Sequence, residues 1–254
     1  MPEKSTKASS APVRGAAPEG SSDAASAARA VREMFSSIAP KYDLLNHLLS
    51  ANVDKLWWRR TARSFLPILL RPGTRVLDLC CGTGDMTFAL RKQSPGVHIV
   101  GGDFSHAMLK LALAKSSRAQ AMNWVEADAL QLPFPDSSFD LVTSAFGFRN
   151  LADYDAGLRE IRRVLRPGGE YGILEFSDPP GIRGKIYSMY FKSVLPRIGK
   201  LISGNNGAYS YLPASVARFP SPTEMLERMQ LAGFEDPSWT PYTFGIAGLY
   251  RGKR

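Results

Sequence analysis

The sequence feature that most constrains the fold is a short apolar run that ends in a Gly-x-Gly turn and leads directly into a helix-forming segment. The run covers residues 76–81, the turn is Gly82-Thr83-Gly84, and the helical segment begins at Met86. A Cβ atom on either glycine would keep a ligand away from the backbone and would disfavour a positive φ angle. The pattern therefore predicts a strand, a tight turn and a helix, with a ligand bound against the main chain of the turn.

Two kinds of ligand suit such a turn. Dinucleotide-binding turns carry a third glycine, in the pattern G-x-G-x-x-G, but Thr87 stands at that position, so the pattern does not favour NAD. The other ligand is a nucleoside without a pyrophosphate, for which Asp78 would bond either the amides of the turn or an amine of the ligand. Asp103 supports this alternative, because it ends the next predicted strand about twenty residues further on, where a carboxylate can accept bonds from both ribose hydroxyls.

Two later strand ends bring further polar residues to the same edge of a parallel sheet. Asp128 and Ala129 follow the third predicted strand, where the carboxylate can accept a bond from an adenine amine and alanine leaves room for the ring. The alternative is that Asp128 only caps the next turn. Arg149 and Asn150 follow the fourth predicted strand, residues 139–146, at the position where open α/β sheets carry their chemistry. Asn150 could equally be the N-cap of the following helix.

The alternation of strands and helices predicts an α/β fold with one mostly parallel sheet flanked by helices. A chain of 254 residues is long enough for one large domain. Residues 1–28 are rich in alanine, serine and proline, so we expect a disordered tail there and a single domain over 29–254. Apolar residues at three- and four-residue steps predict helices over 29–70, broken at Pro40, which either pack on the domain edge or form a lid over a second substrate. A helical insertion is expected over 181–220.

The alternation of predicted helices and strands continues to the end of the domain. A helix is predicted over 153–166, closed by Pro167-Gly168-Gly169, and a fifth strand over 170–176. Ser221-Pro222-Thr223-Glu224 predicts a helix start with a capping box. Residues 239–250 are expected to form a closing strand pair.

Charge and cysteine content limit the compartment and the partners. The net charge of +9 suits an anionic partner, either nucleic acid or acidic lipid. The only two cysteines, Cys80 and Cys81, are adjacent, which excludes an ordinary disulfide between them, and no Cys/His spacing predicts a metal site. No apolar run reaches the length of a membrane span. We therefore expect a cytoplasmic protein. Its basic, aromatic segment 181–204 is either a peripheral contact with the inner face of the cell membrane or an ordinary helical insertion.

Several motifs carry a resemblance to known enzymes. Val76-Leu77-Asp78-Leu79-Cys80-Cys81-Gly82-Thr83-Gly84 with Asp103 resembles the cofactor motif of class I S-adenosylmethionine (SAM) methyltransferases. Together with three more specific stretches, it resembles the menaquinone/ubiquinone biosynthesis C-methyltransferase family from about Ala30 to the C-terminus. The three stretches are Tyr42-Asp43-x-x-Asn46-x-x-x-Ser50 with Trp57-Trp58-Arg59, Phe146-Gly147-Phe148-Arg149-Asn150 with Arg163-Val164-Leu165-Arg166-Pro167-Gly168-Gly169, and Tyr211-Leu212-Pro213-x-Ser215 with Phe219-Pro220.

The resemblance implies a Rossmann-like class I SAM-dependent methyltransferase with a seven-stranded sheet, which transfers a methyl group from SAM to a ring carbon of a polyprenylated quinol. The expected cofactor contacts are Gly82, Thr83, Gly84, Asp103, Asp128 and Ala129. Arg149 and Asn150 are the expected catalytic residues, which hold and polarise the quinol hydroxyl, while Asp128 or a water molecule receives its proton. No metal is expected. The chain departs from the family pattern at Ala145, where some members have serine, and at Ala51-Asn52, where a glycine usually follows the serine.

Cys80-Cys81 looks more like the menaquinone-type members of the family, so demethylmenaquinol is the expected substrate. The alternatives are C-methylation of a ubiquinol precursor, 2-polyprenyl-6-methoxy-1,4-benzoquinol, methylation of RNA or protein, and SAM binding without catalysis. An affinity for nucleic acid that falls steeply with salt would support the RNA alternative. The resemblance leads us to expect a quinol as partner and no nucleic acid.

Overall fold

The computed structural model describes residues 15–50, 52–116, 122–177, 179 and 206–254. Its helices are α1 (Ala24–Leu49), α2 (Val53–Ser64), α3 (Leu66–Leu69), α4 (Asp85–Gln93), α5 (His106–Lys115), α6 (Tyr154–Val164), α7 (Asn206–Arg218) and α8 (Pro222–Leu231). Its strands are β1 (Arg75–Leu79), β2 (His98–Asp103), β3 (Asn123–Glu126), β4 (Phe139–Ala145), β5 (Leu165–Phe176), β6 (Glu235–Tyr242) and β7 (Ala247–Lys253). Phe148–Asn150 and Thr243–Gly245 form 3₁₀ turns.

The seven strands form one sheet in the order β3-β2-β1-β4-β5-β7-β6. Strands β1 to β5 run parallel to one another, and β7 lies antiparallel to both of its neighbours. The predicted mostly parallel, seven-stranded α/β sheet is therefore confirmed. Because β2 lies on one side of β1 and β4 on the other, the strand order changes direction at β1, and a crevice is expected at the carboxyl ends there.

Hydrophobic residues cover both faces of β1, as is usual for a central strand of a parallel sheet. Val76 packs in a cluster with Trp58 and Leu90, from α2 and α4. Leu77, which points to the opposite face, belongs to a second cluster with Leu158 and Ile161 of α6. Helices therefore cover both faces, which leaves the carboxyl ends of the strands as the accessible edge.

The predicted break at Pro40 is wrong, because α1 continues through this residue to Leu49. A proline inside a helix removes one backbone hydrogen bond. Ala27, Val31 and Ala39 are buried along one side of α1, so tertiary packing of this apolar face offsets that loss.

The boundary predicted between the tail and the domain, at residue 28, falls inside α1 and is corrected by the structure. The Asp23 carboxylate accepts a bond from the Ser26 amide at 2.8 Å, and the Ser26 hydroxyl accepts one from the Asp23 amide at 3.1 Å. These reciprocal bonds cap a helix whose alanines have high helix propensity, so the alanines of residues 24–28 favour a helix here and not a disordered tail. Earlier in the chain, the Ala16 amide donates to the Leu151 carbonyl at 2.7 Å. The prediction for residues 1–14 lies outside the described residues.

Strand β5 begins earlier than predicted. The sequence indicated a helix to Arg166 followed by a closing Pro-Gly-Gly, but α6 stops sooner and β5 starts at Leu165, which pairs with Phe139 of β4. Gly168, at φ 74°, donates its amide to the Arg254 carbonyl at 2.6 Å. Pairing with a neighbouring strand and with the C-terminus therefore overrides the local Pro-Gly-Gly signal.

The C-terminal elements are of the types predicted from the sequence, a capped helix and a strand pair. The capping box at the start of α8 is confirmed, since the Glu224 carboxylate accepts from the Ser221 amide at 2.8 Å and the Ser221 hydroxyl accepts from the Glu224 amide. The predicted strand pair is confirmed as β6 and β7, both longer than expected.

Of the predicted insertion 181–220, residues 206–218 are helical, whereas 181–205, including the basic segment, lie outside the described residues. None of the helices in the described part of the chain combines the length and apolar character needed to cross a bilayer.

Candidate active site

A cavity of about 400 Å³ opens at the carboxyl ends of β1, β2 and β4, and α1 and α2 also contribute to its lining. Seven of the eight predicted site residues line this cavity: Gly82, Thr83, Asp103, Asp128, Ala129, Arg149 and Asn150. Gly84 is not among the lining residues. Over the described ranges, no group of three or more histidine, cysteine or acidic side chains is arranged to hold a metal ion. The structure thus brings the predicted residues together from four separate strand ends.

The two glycines of the turn are needed for different reasons. Gly82 has φ 55°, and of the residues that the structure describes, only the Tyr42 ring would lie within 4 Å of a Cβ atom there, at 3.9 Å. Gly84 has φ 92°, and a Cβ atom there would lie 2.7 Å from the Trp124 ring and 2.9 Å from the Phe88 ring. Gly82 therefore leaves bare main chain at the cavity, whereas Gly84 lets aromatic side chains pack against the turn.

Asp103 ties the glycine turn to the start of α5. One carboxylate oxygen accepts from the Gly82 amide and the other from the Ser105 amide, both at 2.8 Å. Burial raises the pKa of Asp103 to about 6, against the lowering effect of these amide bonds. Each oxygen has a second lone pair, so the carboxylate can still accept bonds from a ligand. The ribose contact stays a prediction.

Asp78 differs from the expectation that it bonds the amides of the glycine turn. Its carboxylate accepts from the Thr87 hydroxyl at 2.5 Å and from the Thr143 hydroxyl at 2.8 Å. These bonds join β1 to α4 and β4, and burial raises the pKa of Asp78 to about 6. Thr87, which replaces the third glycine of a dinucleotide turn, is thus a partner of this acid. Asp78 also lines the cavity.

Asp128 shows the capping contact that we considered as the alternative role. Its Oδ1 accepts from the Leu130 amide at 2.8 Å, which closes the turn after β3. Asp128 and the buried Ala129 both line the cavity. The adenine contact and the role of Asp128 as proton acceptor stay predictions.

Thr83 connects the glycine turn to α1. Its side chain is buried, and its hydroxyl donates to the Asp43 carboxylate at 2.5 Å. The Lys115 ammonium pairs with the same carboxylate at 2.6 Å and with Asp85 at 3.3 Å. We call Asp43, Thr83, Lys115 and Asp85 the α1 latch. A cofactor contact of Thr83 would therefore share this residue with the latch.

Arg149 lies in the 3₁₀ turn after β4, with only 5% of its surface exposed. Its Nη1 donates to the two carboxylate oxygens of Glu175 at 3.1 and 3.2 Å and also to the Phe146 carbonyl. Its Nε is buried and has no hydrogen-bond partner among the residues that the structure describes. Burial opposes the charged form, but the nearby Glu175 carboxylate raises the pKa of Arg149, so the guanidinium stays cationic.

Asn150 is not the N-cap of the following helix. Asp153 fills that position, since its carboxylate accepts from the Ala156 amide at 2.9 Å. The Asn150 Oδ1 instead accepts from the Tyr211 hydroxyl at 3.1 Å. This contact leaves the Asn150 side-chain amide nitrogen as a donor at the cavity.

Three aromatic rings, Trp57, Phe146 and Phe176, form what we call the aromatic wall of the cavity. The Phe146 and Phe176 centroids are 4.5 Å apart, and Trp57 lies 5.8 and 6.1 Å from them. Phe146 has φ 58°, a backbone conformation that a bulky residue rarely adopts. The Arg149 guanidinium lies 5.5 Å from the Phe176 ring centroid. The wall therefore combines an apolar aromatic surface with a neighbouring cation.

Sequence reasoning missed several residues of this site. Glu175 had a recognisable signal, because it is an acid inside an otherwise apolar strand end, and such an acid needs a buried partner. Lys115 had no comparable signal, since it closes an ordinary helix. Phe146 and Phe176 each stand at a strand end, but nothing local indicated that their rings would meet.

Comparison with known proteins agrees with this geometry. Residues 23–254 match the model of the ubiE/COQ5 methyltransferase family. A demethylmenaquinone methyltransferase from Deinococcus radiodurans is 50% identical over 228 residues, which cover 89% of this chain and 93% of that protein. One from Thermus thermophilus is 49% identical over 223 residues, which cover 87% and 100%. The crystal structure of a SAM-dependent methyltransferase from Thermotoga maritima superposes with a TM-score of 0.59 at 20% identity, covering 87% of this chain and 98% of that one. The fold is that of the class I SAM methyltransferases, and the chain belongs to the ubiE/COQ5 methyltransferase family.

Proposed function

We propose that the chain transfers a methyl group from SAM to a ring carbon of demethylmenaquinol, giving menaquinol. The observation that carries this proposal is Arg149, a buried cation that lines the same cavity as the glycine turn. The relatives from Deinococcus radiodurans and Thermus thermophilus carry the name of this activity.

The residues at the glycine turn suit SAM. Gly82 offers bare main chain, Asp103 has lone pairs for the ribose hydroxyls, and Asp128 with Ala129 lines the part of the cavity expected to take the adenine. When bound, SAM supplies an electrophilic methyl group on a positively charged sulfur.

Arg149 and Asn150 suit the second reactant, a quinol. A ring carbon of a quinol becomes a strong nucleophile only as the neighbouring hydroxyl loses its proton. The Arg149 guanidinium and the Asn150 amide can both donate to that oxygen and stabilise the negative charge that develops there. The effect is large in a cavity lined mainly by apolar groups, because little water screens the charge. Asp128, or a water molecule, would receive the proton.

The aromatic wall suits a fused aromatic ring. A naphthoquinol can pack against the Phe146 and Phe176 rings while its oxygen reaches Arg149, and the extra ring of a naphthoquinol gains more apolar contact than a benzoquinol would. This supports demethylmenaquinol over the ubiquinol precursor.

Membrane contact is part of the proposal, because a polyprenyl chain keeps the quinol in lipid. The net charge of +9 would attract the protein to an anionic surface, with about 1 kcal/mol for each basic residue near it. We expect co-sedimentation with phosphatidylglycerol vesicles at low salt that is lost in 0.5 M NaCl, and none with phosphatidylcholine vesicles. Equal binding to both vesicle types would contradict an electrostatic contact.

The direct test is incubation with methyl-labelled SAM and either a demethylated naphthoquinol or a demethylated benzoquinol, kept reduced, followed by mass analysis. We expect the label on a ring carbon of the naphthoquinol and a slower reaction with the benzoquinol. A faster reaction with the benzoquinol would favour the ubiquinol precursor. Calorimetric binding of SAM without product from either quinol would contradict the proposal and leave methylation of RNA or protein, or SAM binding without catalysis, as the function.

A further inference from the structure

Glu175 is a fully buried carboxylate near the carboxyl end of β5, next to the aromatic wall residue Phe176. Its oxygens accept from the Arg149 amide at 3.1 Å, from the Arg149 Nη1 at 3.1 and 3.2 Å, and from the Phe176 amide at 3.1 Å. Both the backbone and the side chain of Arg149 are therefore held by this one carboxylate.

A buried ion pair of this kind is by itself weak evidence for a purely stabilising role. Removing two charges from water is costly, and well-packed apolar residues of similar volume are often as stable or more so. The pair also leaves the Arg149 Nε without a partner among the described residues. Arg149 nevertheless lines the cavity, so this costly pair fixes a cation at the place where a ligand would bind. The geometry points to a role for Glu175 in presenting Arg149 to the cavity.

The negative charge of Glu175 also offsets the positive charge of Arg149. The proposed function brings a positively charged sulfonium into the cavity that Arg149 lines. Two cations with little water between them repel each other strongly. A carboxylate bonded to Arg149 balances its charge before the sulfonium binds, while the guanidinium still lines the cavity in which a substrate oxygen would lie.

We propose that Glu175 is a positioning residue for methyl transfer, which orients the Arg149 guanidinium at the end of β4 and balances its charge so that a sulfonium can share the cavity. This inference rests on the proposed function.

The test compares E175Q with E170Q. Both acids lie on β5, and Glu170 pairs with Arg251 away from the cavity, so E170Q is a matched control. Calorimetry gives the affinities for SAM and for S-adenosylhomocysteine, which lacks the positive sulfur. In E175Q the Arg149 charge is no longer balanced, so we expect SAM to bind about tenfold more weakly while S-adenosylhomocysteine binds nearly as before. Methyl transfer at saturating substrates should also fall by about tenfold or more. E170Q should change neither quantity.

The double variant R149M/E175Q separates charge from orientation. With both charges removed, the ratio of the SAM and S-adenosylhomocysteine affinities should return to that of the wild type, while methyl transfer stays low because Arg149 is absent. If E175Q keeps the wild-type affinity ratio and the wild-type rate of transfer, the inference is wrong. It is equally wrong if R149M/E175Q leaves the affinity ratio as low as in E175Q.

If E175Q does not fold, the variant E175D tests whether Glu175 positions Arg149. This variant keeps the charge but withdraws the carboxylate by one methylene group. We expect a normal affinity ratio and transfer lowered about tenfold, and normal transfer would overturn the inference. The affinity ratio is measured without quinol, and wild-type turnover of the naphthoquinol is measured separately. Failure of the inference and failure of the proposed function are therefore distinguishable.

Discussion

At the residue scale, two buried charged side chains, Asp103 and Arg149, have different roles at the cavity. Asp103 bonds two main-chain amides and so holds the glycine turn in place. Arg149 bonds Glu175 and keeps one donor without a partner in the described part of the chain. A change at Asp103 should therefore act first on SAM binding, and a change at Arg149 first on methyl transfer.

R149A should lower methyl transfer by about two to three orders of magnitude, because it removes the donor that stabilises the developing oxyanion. SAM affinity should stay close to that of the wild type, since the glycine turn and Asp103 are untouched. Burial raises the pKa of Glu175, so without Arg149 this carboxyl takes up a proton and leaves no unbalanced charge. Steady-state kinetics and calorimetry measure the two quantities. R166A is a suitable control, because Arg166 pairs with Asp140 outside the cavity. An equal loss of SAM binding in R149A would make Arg149 a structural residue.

SAM affinity should fall as the pH is lowered from 7.5 to 5. With its pKa raised to about 6, Asp103 takes up a proton in this range and loses its capacity to accept from both ribose hydroxyls. Calorimetry across this range should show SAM affinity changing with pH in the wild type and changing less in D103N. Any pH dependence that remains in D103N is assigned to Asp78, whose pKa is also about 6. An identical slope in both proteins would assign the titration to another group.

The same pKa has a consequence for stability. Unfolded aspartate has a pKa of about 3.9, so between about pH 4 and 6 the folded protein binds more protons at Asp103 than the unfolded chain does. The contribution of Asp103 to the free energy of unfolding therefore decreases as the pH rises through this window. SAM binding and the stability of the free protein thus depend on this carboxyl in opposite directions.

At the element scale, α1 is the part of the structure that closes the cavity from the N-terminal side. The α1 latch joins it to the glycine turn and to α5. Arg32 pairs with Glu126 at the end of β3, and the Ser36 and Ser105 hydroxyls are 3.0 Å apart. Because α1 contacts three of the elements that form the proposed SAM site, its position should depend on the latch and affect how long SAM stays bound.

D43N should speed SAM release and weaken its binding by about three- to tenfold, because the neutral amide loses the ion pair with Lys115 and its charged acceptor for Thr83. Hydrogen exchange in α1 should become faster in the same variant. The comparison is E33Q, an exposed acid on the same helix. Unchanged SAM release and unchanged exchange in D43N would show that α1 stays in place without the latch.

At the scale of the whole molecule, early and late parts of the chain share one sheet. The C-terminal strand β7 inserts between β5 and β6, and β1 pairs with both β2 and β4. The Ala16 amide near the N-terminus bonds the carbonyl of Leu151, directly after the proposed catalytic pair. No continuous portion of the described chain therefore forms a separate core, which supports a single domain.

Thermal unfolding should accordingly be one cooperative transition, with far-ultraviolet and near-ultraviolet circular dichroism changing together. SAM at one hundred times its dissociation constant should add about 2.7 kcal/mol to the free energy of unfolding and shift the entire transition to higher temperature. Two separate transitions, or a shift confined to one of them, would contradict the single domain.

Local patterns by themselves determined the strand–turn–helix unit at Gly82-Thr83-Gly84, the mostly parallel sheet and the strand ends that carry Asp103, Asp128, Arg149 and Asn150. These features depend on residues close together in the chain, such as an apolar run, a glycine pair or an acid after a strand. A parallel sheet then brings such strand ends to one edge whatever lies between them.

Only the tertiary structure decided which partners these residues have. Arg149 meets Glu175 across 26 residues, and Thr83 meets Asp43 across 40. Long-range contacts also explain two of the wrong predictions. Buried neighbours keep α1 intact through Pro40, and pairing with β4 starts β5 at Leu165. Long-range contacts of this kind leave no periodic signal in the sequence, because each depends on where several elements pack together and not on the residues beside it.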